Sequence, residues 1–137
     1  MNLPQKLRND LLKSSSEQRN AFGQFVKELI EERKHLSVES RARYSAIYDG
    51  RNPIVYIDPQ AHGIDFGFFG DYTLKEIRRR NLYVYEGKTW NPTKGGLKWF
   101  RADGSGEELR ERFEQVHDLS DISAQRNRCF IREIHGP

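Results

Sequence analysis

The feature that most constrains the fold is a pair of apolar stretches separated by five turn-forming residues. The first runs from Ile54 to Asp58 and the second from Ile64 to Gly70. Apolar stretches of strand length around such a segment predict a β-hairpin. Because side chains alternate along a strand, the second stretch places three large apolar side chains on one face: Ile64, Phe66 and Phe68. Removing each from water contributes roughly 1.5–3 kcal/mol, so this face is predicted to form the core.

Amphipathic helices are predicted on both sides of the hairpin, where they can cover its apolar face. The clearest follows Ser14-Ser-Ser-Glu17, a match to the capping box. It carries an apolar stripe at helical spacing, formed by Phe22, Phe25, Val26, Leu29 and Ile30. Shorter helices are predicted for residues 2–13, 37–44 and 71–80. A last helix follows a capping box at Ser105, with Leu109, Phe113 and Val116 on one side.

Further strands complete a predicted sheet. They are placed at residues 45–48, 82–86, 97–101 and, as an edge strand after the polar segment 120–127, at residues 129–134. Tight turns such as Asp49-Gly50 favour antiparallel pairing. We therefore predict an α+β fold, with a mostly antiparallel sheet of five or six strands and helices packed on one face as a two-layer sandwich.

The composition limits the class of protein. The chain has 137 residues, a size that predicts a single domain, with residues 1–44 as its helical N-terminal part and residues 45–134 as the sheet with two helices. Cys129 is the only cysteine, which excludes an intramolecular disulfide and a zinc site built on several cysteines. No stretch approaches the 18 apolar residues of a membrane span, so a cytosolic protein is predicted. The net charge of +3 permits an anionic partner.

Several phrases resemble the small bacterial YdhG-like domains over about residues 20–118. These are His62-Gly-Ile-Asp-Phe-Gly-Phe-Phe69, then Glu86-Gly-Lys88 and Leu97-Lys-Trp99 before a final helix. The resemblance implies an α+β sheet with flanking helices. Some members of that family are described as frataxin-like iron chaperones. This chain lacks the Gly-x-Gly-Lys loop of the family and the acidic ridge expected of an iron chaperone, so the resemblance implies the fold and assigns no functional residue.

One candidate for catalysis combines Asp65 with Glu86 and Lys88. Two carboxylates meeting across neighbouring strands could hold Mg²⁺, with the lysine stabilising a water molecule or a phosphate. This spacing is similar to that of the PD-(D/E)xK nucleases. The alternative interpretation is that Asp65 faces solvent and that Glu86 and Lys88 end a wet strand. His62 is a candidate acid or base, or else a histidine of a surface turn.

A second candidate is a basic and aromatic surface. Positive charge beside exposed rings is typical of single-stranded nucleic-acid binding, because phosphates are neutralised while bases stack. The candidate partner-binding residues are Arg78, Arg79, Arg80, Lys88, Trp90, Lys94, Lys98 and Arg101, interleaved with Trp99 and Phe100. The alternative is a solvated helix end, where cations favour the helix dipole, beside tryptophans of the core.

A third candidate is a small-ligand pocket between the sheet and the helices, lined by tyrosines whose hydroxyl groups could orient a ligand. Its residues would be Tyr44, Tyr48, Tyr56, Tyr83 and Tyr85, which could equally be tyrosines at the edge of the core. Among these options we favour a noncatalytic cytosolic binding or regulatory module, without cofactor, that contacts nucleic acid or an acidic protein surface. The alternative is the Mg²⁺-dependent nuclease.

Overall fold

A computed structural model describes residues 3–41, 43–69, 79, 97–102 and 106–135, with the main chain only at residues 69, 97, 98 and 122–135. Its strands form one sheet in chain order, and every neighbouring pair is antiparallel. They are β1 (Leu36–Arg41), β2 (Tyr44–Asp49), β3 (Asn52–Gln60), β4 (Gly63–Phe69) and β5 (Leu97–Ala102). The predicted hairpin is confirmed as β3 and β4. Gly50 in the turn before β3 has φ +60°, a conformation that glycine adopts without steric cost.

Three described helices cover one face of this sheet: α1 (Gln5–Leu11), α2 (Ser16–Glu32) and α3 (Gly106–His135). Phe22 and Phe25 of α2 and Phe113 of α3 share a buried cluster with Phe66 and Phe68 of β4. The apolar side chains on one face of β4 thus pack against the apolar side chains on one face of α2 and of α3, as the strand and helix periodicities predict. The predicted α+β fold with helices on one face of an antiparallel sheet is confirmed.

The capping box of α2 lies one residue later than predicted. Ser15 is the N-cap, its hydroxyl accepts from the amide of Gln18 at 3.2 Å, and the Gln18 side chain accepts from the Ser15 amide. The predicted cap, Ser14, instead donates its hydroxyl to the carbonyl oxygen of Gln60 at 2.8 Å. This bond ties the start of α2 to the end of β3.

Two predicted elements are wrong. Residues 37–44 are predicted as a helix, but residues 37–41 form a strand as part of β1. The six residues Leu36 to Arg41 pair with six residues of β2. Residues 120–127 and 129–134, predicted as an irregular segment and an edge strand, belong to α3. Residues 107–135 contain neither glycine nor proline, so no strong helix breaker interrupts α3.

Other predicted elements lie outside the described residues. The helix of residues 71–80 is described only at Arg79, which is helical. The strand of residues 82–86 is not among the described residues. Within the described part of the chain, none of the helices has the length and apolar character needed to cross a membrane.

Candidate functional site

The face of the sheet opposite the helices, called the second face below, carries the candidate residues Asp65 and Arg101 together with the tyrosines of β2 and β3. Its longest row crosses all five strands through successive Cα partners: Glu39, Ala46, Tyr56, Gly67 and Trp99. A neighbouring row contains Asp58, Asp65 and Arg101, again as successive Cα partners. Residues two apart on a strand lie about 7 Å from each other. The first row, which contains Tyr56 and Trp99, is therefore adjacent to the second row, called the charged row below.

Three aromatic rings meet on the second face. The ring of Tyr44 lies 5.8 Å from that of Tyr56, at an interplanar angle of 82°, and 5.7 Å from that of Trp99. Gly67 separates Tyr56 from Trp99 in the row and carries no side chain, so rings from β2, β3 and β5 can converge above it. Trp99 is only 6 % exposed, whereas Tyr44 and Tyr56 are partly exposed. The cluster therefore has a buried base and an accessible edge.

Arginines border this cluster at the end of β1. The guanidinium carbon of Arg41 lies 4.6 Å from the ring centroid of Tyr48, a cation–π distance. Arg41 also pairs with Glu39 at 2.8 Å, yet its side chain remains 53 % exposed. Arg43, in the turn that follows, is exposed as well. Arg41 thus lies over the buried ring of Tyr48 and is the Cα partner of the partly exposed Tyr44, which Arg43 precedes in the chain.

The phenol of Tyr56 is harder to ionise than an ordinary tyrosine. Its pKa is raised above 10.0, first by burial and then by the electrostatic influence of Tyr48 and Tyr44. An electrostatic influence of this kind acts over short distances, in agreement with the contact between the Tyr44 and Tyr56 rings. Tyr44 and Tyr56 therefore converge on the second face, so the prediction that they line a pocket between the sheet and the helices is wrong. Tyr83 and Tyr85 lie outside the described residues.

We expect this raised pKa to appear in the alkaline stability of the protein. Above pH 10.0 the unfolded chain loses the Tyr56 proton while the folded chain retains it, so the stabilisation present below that pH is lost as the pH rises through the folded-state pKa. Tyr56→Phe has no such proton and should lose less stability over that interval. Urea unfolding below and above pH 10.0 measures this difference, and an identical pH dependence in both proteins would contradict it.

The charged row centres on a buried carboxylate. Asp65 is 0 % exposed, and its Oδ1 lies 2.7 Å from Nε2 of His62. Asp58 is its partner on β3 and Arg101 its partner on β5. Because two carboxylates directly opposite each other are unfavourable, a cation on the other side of Asp65 offsets part of their repulsion. The interpretation of Asp65 as a solvent-facing residue is wrong.

The turn that carries His62 is fixed to the helical layer. The side-chain amide of Gln18 donates to the carbonyl oxygen of His62 at 3.1 Å, in addition to the bond between Ser14 and Gln60. The His62 side chain is 23 % exposed. A carboxylate bonded to one ring nitrogen fixes the orientation of an imidazole, so His62 is held in place by both its main chain and its ring.

The predicted site residues fall into two groups. Four lie in the described part of the chain: Asp65 is buried on the second face, Arg79 is exposed in a helical segment, Lys98 belongs to β5, and Arg101 is partly exposed on β5. The others lie outside the described residues: Arg78, Arg80, Glu86, Lys88, Trp90 and Lys94. The structure therefore brings Asp65 and Arg101 together and leaves the Asp65–Glu86–Lys88 set a prediction.

The described residues offer little for a metal ion. No group of three or more His, Cys, Asp or Glu side chains among them could hold one.

Trp99 and Phe100 are buried, which agrees with the alternative interpretation of these aromatic residues as packed side chains. Sequence reasoning missed Arg41 and Arg43, because it assigned them to a helix. The signal that could have found them is the alternation of Leu36 and Val38 with polar residues.

Comparisons with known proteins found no match to this chain. No protein-family model, no curated protein and no solved structure matches this chain.

Proposed function

We propose that this protein is a noncatalytic binding module whose anionic partner is a nucleic acid, contacted through a basic and aromatic surface. The observation that carries the proposal is the position of Arg41, which is 53 % exposed and lies 4.6 Å from the Tyr48 ring beside the exposed Arg43. Arginine makes both phosphate contacts and stacking contacts. The cytosolic location and the resemblance to YdhG-like domains stay predictions from the sequence.

The charge distribution supports an anionic partner. The chain has a net charge of +3, and cations that neutralise phosphates release counterions, which makes binding favourable at low salt. Arg79 is exposed and Arg101 is partly exposed, so both can add to this electrostatic term. An acidic protein surface would satisfy the cations, whereas a nucleic acid also offers bases to the neighbouring rings.

The proposal predicts salt-dependent binding that weakens when Arg41, at the end of β1, and Arg43, in the turn that follows, are replaced. In fluorescence anisotropy with labelled oligonucleotides, the double substitution Arg41→Ala and Arg43→Ala should lower affinity about tenfold at low salt. It should also reduce the slope of log affinity against log salt by about 1 to 2, because fewer counterions are released.

A matched control comes from the other layer. Arg8 is exposed on α1, whose buried residues Leu7 and Leu11 pack on the helical side of the sheet. Arg8→Ala removes the same type of charge and should leave affinity nearly unchanged. Absence of binding to any oligonucleotide at low salt would overturn the proposal, and tight binding to polyglutamate alone would move the partner to an acidic protein.

The alternative proposal is a Mg²⁺-dependent nuclease that uses Asp65 with Glu86 and Lys88. The observation favouring it is the pairing of Asp58 with Asp65 across β3 and β4, since carboxylates are preferred Mg²⁺ ligands. Against it stands the complete burial of Asp65. Mg²⁺-dependent shortening of the oligonucleotide, abolished by Asp65→Asn but not by a change at the exposed Asp118, would replace the noncatalytic proposal.

A further inference from the structure

We infer that the second face takes single-stranded rather than double-stranded nucleic acid, with unstacked bases on Tyr44 and Tyr56 and the phosphates beside Arg41 and Arg43. This inference rests on the proposed function and names the class of partner for the same surface. Its basis is the orientation of these two partly exposed rings, which are nearly perpendicular at 82°.

Perpendicular rings select against a duplex. Bases in a duplex are stacked parallel to one another and their faces are covered, so they cannot lie on two rings that differ by 82°. A single strand can turn successive bases outward and place each on its own aromatic surface. The 5.8 Å between the ring centroids brings two such surfaces within the reach of neighbouring nucleotides.

The rings are held firmly enough to serve as stacking surfaces. The ring of Trp99, which is 6 % exposed, contacts that of Tyr44 with 5.7 Å between the centroids. Tyr56 belongs to the central strand β3, which pairs with β2 on one side and β4 on the other. Rings that are ordered before binding lose little conformational freedom when a base stacks on them.

The charges on the second face also favour a single strand. Glu39 and Asp58 lie among the rings and arginines, and both are partly exposed. A duplex carries one negative charge per about 1.7 Å of its axis, so its phosphates would be strongly repelled by these carboxylates. A single strand, with one charge per about 3.4 Å, meets less repulsion from them.

The test compares one labelled sequence as a single strand and as a duplex. We expect the single strand to bind at least about tenfold more tightly, and Tyr44→Ala or Tyr56→Ala to weaken that binding about 5- to 150-fold, the range for loss of one stacked base. Tyr44→Phe and Tyr56→Phe keep the ring and should bind within about twofold of the unmodified protein.

The design separates loss of stacking from loss of folding. Tyr44→Leu and Tyr56→Leu keep apolar bulk without an aromatic face, and circular dichroism shows whether each variant retains its fold. Folded leucine variants that bind as tightly as the unmodified protein would overturn the inference. Equal affinity for both forms, still weakened by Arg41→Ala and Arg43→Ala, would overturn it while leaving the proposed function intact. Absence of binding to either form would overturn both.

Discussion

Replacing Phe66 with alanine is expected to lower the free energy of unfolding by about 4 kcal/mol. Phe66 is fully buried, and its ring lies 5.9 Å from that of Phe25 on α2 and 6.5 Å from that of Phe113 on α3. Truncation would leave a cavity between β4 and two helices at once. The total free energy of unfolding of a single domain is about 5–15 kcal/mol. The midpoint urea concentration of unfolding should therefore decrease strongly.

The control for this prediction is Leu12, a large apolar residue that is 70 % exposed. Leu12→Ala also removes apolar atoms, but at an exposed position, and should change the free energy of unfolding by less than about 0.5 kcal/mol. If Phe66→Ala cost no more than Leu12→Ala, the helices would not be packed on this face of β4.

Replacing Trp99 with alanine is expected to cost about 3 kcal/mol, although Trp99 lies on the face opposite the helices. It is almost fully buried, and its ring contacts that of Tyr44. Its removal loses the burial of a large side chain and an aromatic pair worth about 0.5–1.5 kcal/mol beyond that burial. Thermal unfolding should show a decrease in Tm of about 10 °C, from the usual entropy of unfolding at this size.

Trp99→Phe is the matched variant, because it keeps a ring near Tyr44 while removing part of the volume. We expect it to lose less than half of the stability lost by Trp99→Ala. If Trp99→Ala were as stable as the unmodified protein, the second face would lack the packed aromatic cluster that the binding proposal requires.

Local periodicity was sufficient to predict the core. The alternation of Ile64, Phe66 and Phe68 and the stripe that begins at Phe22 are each visible within one element, and all four side chains are buried. β1 was missed because it offers only Leu36 and Val38 as an alternating signal. Its pairing with six residues of β2 is a tertiary constraint, which overrides weak local propensity.

The error in α3 has a different cause. Phe130, Ile131 and Ile134 are one, three or four residues apart, a short apolar group that periodicity alone cannot assign to a strand or a helix. The absence of glycine and proline from residues 107–135 was the better signal, because helical hydrogen bonds continue until a residue interrupts them. The continuous helix α3 can therefore be predicted from the local sequence, if the absence of helix-breaking residues is given more weight than a short apolar group.

The candidate site was only partly predictable. The alternation of β4 placed Asp65 and Gly67 on the face opposite Phe66, and the supply of tyrosines suggested that Tyr44, Tyr48 and Tyr56 could act together. That Trp99 would join them depends on β5 pairing with β4 and on the missing side chain of Gly67. Strand order is a property of the whole fold, and no local pattern in the sequence encodes it.

The central proposal is that the second face, whose buried Trp99 also contributes to stability, binds the partner while the helical face serves only to stabilise the protein. The most direct measurement is a titration of isotope-labelled protein with a single-stranded oligonucleotide, followed by the amide resonances of each residue in NMR spectra. We expect the largest shifts at Arg41, Arg43, Tyr44 and Tyr56, with residues of α1 and α2 nearly unchanged. Shifts confined to the helices, or none at saturating oligonucleotide, would contradict the claim.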